Sequence, residues 1–520
     1  MSKEHTQQLF RKGTTLITHD IISHNVRAIS DVTDKIQSSL GPSSMSKMLV
    51  DAFGGIVVTS DGSKILQEMQ ITHPAAKLMV EMSQVQDKIV GDGTTSVVLL
   101  CGEILQQCQA HLENRSSLHR NKLCVKLKRE FITIKKLIPK LYEKVEDDQN
   151  ALLKLTESTL STKLISKFNT EGALSKLVVK AISHMHNFDK DHTVSIKNDL
   201  RIVKIVHQSV QQSKTLFGGC VIRAESNNSI QVPSKMQNVN VCINNLLIKA
   251  SLFVKETIIK DPKQLVLIED QLLSCYLRHI VEPLVHKNIN LLISSKKIDK
   301  RCIELLNDRN IIVMELESFQ DLDPSSGIDN DVMFMRDCCK IGFICSSVAD
   351  FTKDEISGVV NTIQWFPSKH DSFGRLHISN RNSCEKVTLI LRGPSAEIIK
   401  ELEIAMNDAL CLCTYVLRTR SESDVIGLVS GSGVFESKLS ELLEQEETET
   451  SKILSKALMI IPNTLKRNLF QSQSIVSDQS CILEAAASKE SMIKIAIDMA
   501  CEILKLDCLV LEQLRERYIK

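Results

Sequence analysis

Helix-patterned text at both ends of the chain encloses a middle in which short strands and helices alternate, and no other feature restricts the fold as much. Apolar residues recur at helical spacing over 17–40, where Gly41-Pro42 stops the helix. Short apolar runs at 48–50 and 56–59 predict two strands joined by a turn at Gly54-Gly55. Helices are predicted over 63–69, 73–88, 96–111 and 119–145. From about Val194 the texture changes, with strand-like runs at 201–206, 239–248, 289–294 and 311–314 separated by helical stretches at 270–287 and 299–308. After a strand at 387–393, long helices return at 396–418, 433–443, 450–468 and 491–506. The alternation predicts a small α/β domain with a partly parallel sheet. The helical ends predict one domain assembled from both halves of the chain, with the α/β insert projecting from it. The fold class is therefore α+β/α, multi-domain.

Length and composition agree with that division. A chain of 520 residues is too long for one core, and roughly three domains of ordinary size are expected. A net charge of +1 supplies no global attraction to nucleic acid or an acidic membrane surface. The sixteen cysteines include no CxxC pair, which reads as reduced, buried thiols rather than a structural zinc site. The opening residues lack the apolar core of a secretory leader, and no stretch stays apolar for the roughly 20 residues that a bilayer crossing needs. The expected location is cytoplasmic, with no membrane and no nucleic acid among the partners.

Chemistry enters at Gly91-Asp92-Gly93-Thr94-Thr95, between the polar end of one amphipathic helix and the apolar start of the next. Two glycines let the backbone approach an anion, the following amides stand unpaired at a helix N-terminus, and the helix dipole points its positive end there. Asp92 would repel bare phosphate, so the loop makes most sense with Mg²⁺ between them. The same residues also make an ordinary helix N-cap, and both readings stand on the motif alone. No GxxxxGK[ST] loop or kinase loop set occurs, which disfavours an ordinary kinase or small-molecule ATPase.

Four ordered segments carry a resemblance. LGPSSMSKMLVDAFGGIVVTSDGSKIL, THPAAKLMVEMSQVQDKIVGDGTTSVVLLCGEIL, LSTKLISKF and LRGPSAEIIKELEIAMNDALCLCTYVL together resemble the group II chaperonins in order and spacing. Within that family the first two segments look most like the gamma subunits of the eukaryotic cytosolic chaperonin. The resemblance is strong over 29–105 and 387–417, weak through the middle and poor over the last sixty or so residues. It implies an equatorial ATP-binding domain from 1–141 and 404–520, an intermediate domain from 142–200 and 370–403, and an apical client-binding domain over 201–369. It also implies ATP and Mg²⁺ as cofactors, other chaperonin subunits in an eight-membered double ring as partners, and unfolded cytosolic proteins as clients. Hydrolysis would then drive closure of a lid over the client.

Residue by residue, the resemblance implies that Gly41 and Pro42 bring backbone near the phosphates and that Asp92 holds the magnesium. Gly62, Gly91, Gly93, Thr94, Thr95 and Ser96 complete the phosphate side. Asp61 and Asp408 match the family's carboxylates near the attacking water, with Asp408 the candidate general base. Lys163 matches a lysine reaching from the intermediate domain to the nucleotide. Gly431 lies in a reduced glycine loop, Leu428-Val429-Ser430-Gly431-Ser432-Gly433, which lacks the family's proline but still precedes Glu436. After Leu469 the chain runs through Asp478 to the predicted helix at 491, so the strand hairpin and acidic residue that contact adenosine in relatives look abridged.

Apolar runs at 252–254, 257–259 and 265–268 lie where the family keeps its lid protrusion, and they read either as client-binding surface or as apical core. Two functions follow. One is an ATP-hydrolysing subunit of a folding ring, supported by the full set Asp61, Asp92 and Asp408. The other is a chaperonin-like scaffold with a decayed ATPase, supported by the abridged carboxyl end.

Overall fold

The computed structural model describes residues 13–16, 21–50, 56–69, 71–114, 119–143, 147–169, 172–188, 196–226, 232–253, 262–317, 328–367, 373–380, 384–419, 426–472, 482–506 and 509–512. Its contacts divide the chain into two compact units, Met1–Val179 with Lys400–Lys520, and Lys180–Ile399. The turn predicted at Gly54-Gly55, the apolar residues Val254 and 257–259, and Asp478 lie outside the described residues.

In the first unit the helix Thr94–Asn114 is the centre. Val97, Val98, Leu99, Leu100, Ile104 and Leu105 are all buried, so this helix is apolar nearly all round and has to be enclosed. Helices Ile21–Ile36, Pro74–Ile89, Glu449–Leu458 and Ala486–Lys505 enclose it, two from each half of the chain. The chain ends are also joined by hydrogen bonds, since strand Gly13–Leu16 pairs antiparallel with Leu509–Glu512. A second antiparallel pair, Lys47–Val50 with Ile56–Thr59, forms the predicted hairpin strands, and Leu428–Ser430 pairs antiparallel with Leu483–Ala485.

The second unit holds a closed barrel rather than an open sheet. Its order is Ser357–Phe366, Phe373–Ser379, Gly219–Ser226, Ile312–Leu316, Leu291–Ser294 and Lys235–Asn244, with the last strand returning to the first. Only the Lys235–Asn244, Leu291–Ser294 and Ile312–Leu316 run is parallel. Alternate residues such as Cys220, Ile222, Leu376 and Ile378 fill the barrel interior, while their neighbours point outward. Beside it lies a three-stranded sheet in which Val387–Gly393 pairs parallel with Leu200–Val206 and antiparallel with Lys214–Phe217.

Several helix boundaries differ from the sequence expectation: the helix predicted over 119–145 is Arg120–Leu137, that over 17–40 is Ile21–Ile36, and that over 270–287 starts earlier, at Pro262, and is interrupted by Leu277–Val281. The stretch predicted as one helix at 450–468 is two, Glu449–Leu458 and Ile460–Ser472. Pro462 has no N–H to continue the first helix, so the chain restarts around it. The last helix begins at Ala486 rather than 491, directly after the three-residue strand Leu483–Ala485, whose last residue is extended.

Because Leu100 is 1% exposed at the centre of the first unit, Leu100→Ala should destabilise it by about 2–5 kcal/mol. Native-state hydrogen exchange of residues Thr94–Asn114 would show this as lost protection.

Candidate functional site

Helix Pro74–Ile89 ends, the chain turns through Gly91 at φ 77° and Gly93 at φ 74°, and helix Thr94–Asn114 begins. Both glycines occupy the left-handed region, where a side chain is strained. At Gly91 a Cβ would stand 2.7 Å from the Asp408 carbonyl oxygen and 2.7 Å from Cys411 Cβ. The loop therefore rests directly on the backbone of helix Ala396–Arg418. Asp92 Oδ1 accepts from the Gly93 amide at 2.7 Å, and Gln86 Nε2 donates to the Asp92 carbonyl at 2.8 Å, so the loop is pinned from below.

Above the loop is a cavity of about 480 Å³, in the ordinary range for small-molecule sites. Gly41, Pro42, Asp61, Gly62, Gly91, Asp92, Gly93, Thr94, Thr95, Ser96 and Lys163 all line it. These residues come from four separate stretches of sequence. Gly62 is needed for closeness, since a Cβ there would fall 2.1 Å from Thr95 Oγ1.

Charge is concentrated behind one wall. Lys163 Nζ donates to Asp61 Oδ1 at 2.9 Å and to Asp408 Oδ2 at 2.6 Å, and both carboxylates are at most 10% exposed. One ammonium thus serves two acids. Burial opposes the charge of Lys163, but Asp408 and Asp61 hold its pKa above the ordinary lysine value. Burial pushes Asp408 up to about 7, with Lys163 opposing and the Asp61 charge adding to the rise. Burial also works against Asp61, yet Lys163 and the Lys64 amide, which donates to Asp61 Oδ2 at 3.1 Å, hold it below the usual carboxylate range. Two like-charged acids at one cation have been driven apart in proton affinity. Asp408 itself is not on the cavity wall; it stands behind Lys163.

The cavity lining also carries a group that the sequence reading missed. Lys489 Nζ donates to Glu436 Oε1 at 2.7 Å and pairs with Glu484, and both Lys489 and Glu484 line the cavity. Burial opposes the Lys489 charge, and the two glutamates raise its pKa against that. Glu484 Oε1 accepts from the Ser432 amide at 3.3 Å. Gly431 is not on the wall; its amide donates to the Ile482 carbonyl at 2.8 Å, and its neighbours Ser432 and Gly433 line the cavity instead. The end of the chain is therefore less abridged than its sequence suggested: strand Leu483–Ala485 is present and delivers an acidic residue to the site. The available signal was the spacing Glu484 to Lys489 at the mouth of the last helix, together with Glu436.

The chemistry of these donors fits a magnesium-bound nucleotide. Burial and the Glu484 charge raise Asp92 above the usual carboxylate range, and the Gly93 amide, Lys489 and Lys163 offset this only in part, so its ionised form is suited to a cation. One carboxylate plus phosphate oxygens is an ordinary magnesium environment.

Comparison with known proteins agrees with the geometry. Residues 32–479 match the TCP-1/cpn60 chaperonin family. The chain belongs to that family. It is similar to thermosome subunit 1 of Haloferax volcanii, 28% identical over 457 residues that cover 86% of this chain and 76% of the relative. It is also similar to T-complex protein 1 subunit gamma of Pongo abelii, 28% identical over 460 residues covering 86% and 79%. T-complex protein 1 subunit delta of Debaryomyces hansenii is 25% identical over 484 residues covering 88% and 84%. The group II chaperonin resemblance seen in the four sequence segments, with its gamma-like wording, accords with these matches. Among the described residues, no helix is long and apolar enough to cross a membrane.

Two outcomes follow for this chaperonin. Gly91→Ala should lower stability by at least about 1–2 kcal/mol, from left-handed strain alone, and reduce nucleotide affinity measured by calorimetry. For Asp408 the folded pKa is raised above its unfolded value. Between pH 4 and about 7 the folded protein holds a proton that the unfolded chain releases, so stability falls as pH rises through that window. The slope is at most about 1.4 kcal/mol per pH unit. Chemical denaturation across pH should show the decline in the parent and its loss in Asp408→Asn.

Proposed function

We propose that this chain is an ATP-hydrolysing subunit of a double-ring chaperonin that assists folding of cytosolic proteins. The observation that carries the reading is the joint placement of the phosphate-type loop, Asp61 and Lys163 at one cavity, with Asp408 paired to Lys163 behind its wall. The equatorial domain would comprise 1–141 with 404–520, the intermediate domain 142–200 with 370–403, and the apical domain 201–369. Its partners would be other chaperonin subunits in an eight-membered double ring and unfolded clients, in the cytoplasm. Exposed Leu265, Val266 and Leu267, on helix Pro262–Tyr276, support a client-facing role for that part of the apical segment.

In this reading the amides and hydroxyls of Thr94, Thr95 and Ser96 bind phosphate oxygens at the helix N-terminus. Gly41 and Pro42 bring backbone to the same oxygens from the facing loop. Asp92 would hold Mg²⁺, which when bound neutralises phosphate charge. Asp408, with proton affinity near neutral pH, orients the attacking water and accepts its proton. Asp61, held ionised beside Lys163, fixes the ammonium and helps orient the water. Lys163 reaches the cavity from the turn after helix Asp148–Ser161, so departure of phosphate alters the charge that this segment feels. Lys489 and Glu484 line the same cavity and would contact the bound nucleotide.

Asp408→Ala should reduce phosphate release about 100-fold or more while ATP still raises the melting temperature, because a water-positioning base acts on the transition state rather than on ground-state binding. Unchanged turnover in an assembled ring would remove Asp408 from this role.

A further inference from the structure

A second concentration of charge lies in the other unit, where strand register forces basic side chains together. Arg223 on Gly219–Ser226 and Arg375 on Phe373–Ser379 are direct antiparallel partners, so they project from the same outward face of the barrel. His377 follows two residues later on that face and is 8% exposed, its ring 4.6 Å from that of Phe366. Across from them the three-stranded sheet packs through Ile205, Val221 and Ile390. That sheet contributes Arg392, two residues beyond Ile390, and Lys214, the register partner of Ile390.

Like charges directly opposite on paired strands are destabilising unless something offsets them. Glu317 Oε2 lies 2.8 Å from Arg223 Nε, and Glu225 stands two residues further along the same strand. Neither Arg375 nor Arg392 has a carboxylate partner among the described residues, and Arg392 Nε is shut off from solvent with no hydrogen-bond partner. Burial lowers the proton affinity of Arg375, with Arg223 and Arg392 adding to the effect. Burial, Lys214, Arg375 and Arg392 hold His377 down at about 4, so it is neutral at physiological pH. The cluster is therefore short of negative charge and carries a buried, unused donor.

We propose that Arg223, Arg375, Arg392 and Lys214 form a binding site for a small, multiply charged oxyanion of the phosphate class, seated between the barrel and the three-stranded sheet. Guanidinium forks match tetrahedral oxyanions in geometry, and Arg392 Nε supplies a donor already turned away from water. Bound there, the anion pins two sheets of the same unit together. The site is separate from the nucleotide cavity, none of whose lining residues it shares.

The test is hydrogen exchange of the full chain in pyrophosphate against chloride at equal ionic strength, which removes simple screening from the comparison. Exchange in Phe373–Ser379 and Val387–Gly393 should slow about threefold at a pyrophosphate concentration twice its Kd. Following these two strands separates the effect from pyrophosphate in the nucleotide cavity. Arg375→Gln and Arg392→Gln should each abolish the slowing and, by relieving repulsion, melt no lower than the parent in chloride. No slowing in the parent would overturn the site without any variant, as would equal slowing in both variants. Slowing by a glutamate-rich peptide but not by pyrophosphate would overturn the small-anion assignment in favour of an acidic chain.

Discussion

One ammonium shared between two buried acids ties this chaperonin's candidate site together. Lys163 is 102 residues from Asp61 and 245 from Asp408 in sequence, yet it donates to both. Burying three charged side chains is unfavourable unless their geometry is good, and removing one would strand the others. The contact is thus weak as a source of net stability and strong as a specifier of which segments meet. The enclosed helix Thr94–Asn114 does the complementary work, because its apolar surface can be covered only when both halves of the chain pack on it.

The two charge clusters at the cavity share one balance, two carboxylates to a single ammonium. Asp61 and Asp408 outnumber Lys163, and Glu436 and Glu484 outnumber Lys489. With Asp92 added, acidic residues outnumber lysines in and behind the cavity lining. Such a place would repel a bare polyphosphate more than one accompanied by a divalent cation. Glu436 Oε2, buried with no hydrogen-bond partner among the described residues, is part of the same excess.

Much of this was legible in sequence, and the reasons for the rest are physical. Helix Ala396–Arg418 is bounded as its apolar periodicity indicates, and the GDGTT loop sits at a helix start as its glycines require. Both depend on neighbours within a few residues. Barrel closure does not: Ser357 opposes Cys242, a pairing across more than a hundred residues that alternation within either strand cannot reveal. Asp408 is silent in local pattern because a single acid on a long helix looks solvated, and only the resemblance singled it out. Glu484 and Lys489 were missed for a different reason. A run of alanines blurred where the last helix begins, hiding a three-residue strand whose partner lies more than fifty residues away.

The seating of Gly91 on the Asp408 carbonyl has a wider consequence. The distance from the Gly91 loop to the acid-bearing helix is fixed by main chain close against main chain, with the Cβ of Cys411 beside the contact. Substitutions in the packing around that junction can change its composition without changing its dimensions. A lineage can thus drift to little more than a quarter identity with its relatives and keep the same reach between loop and carboxylate.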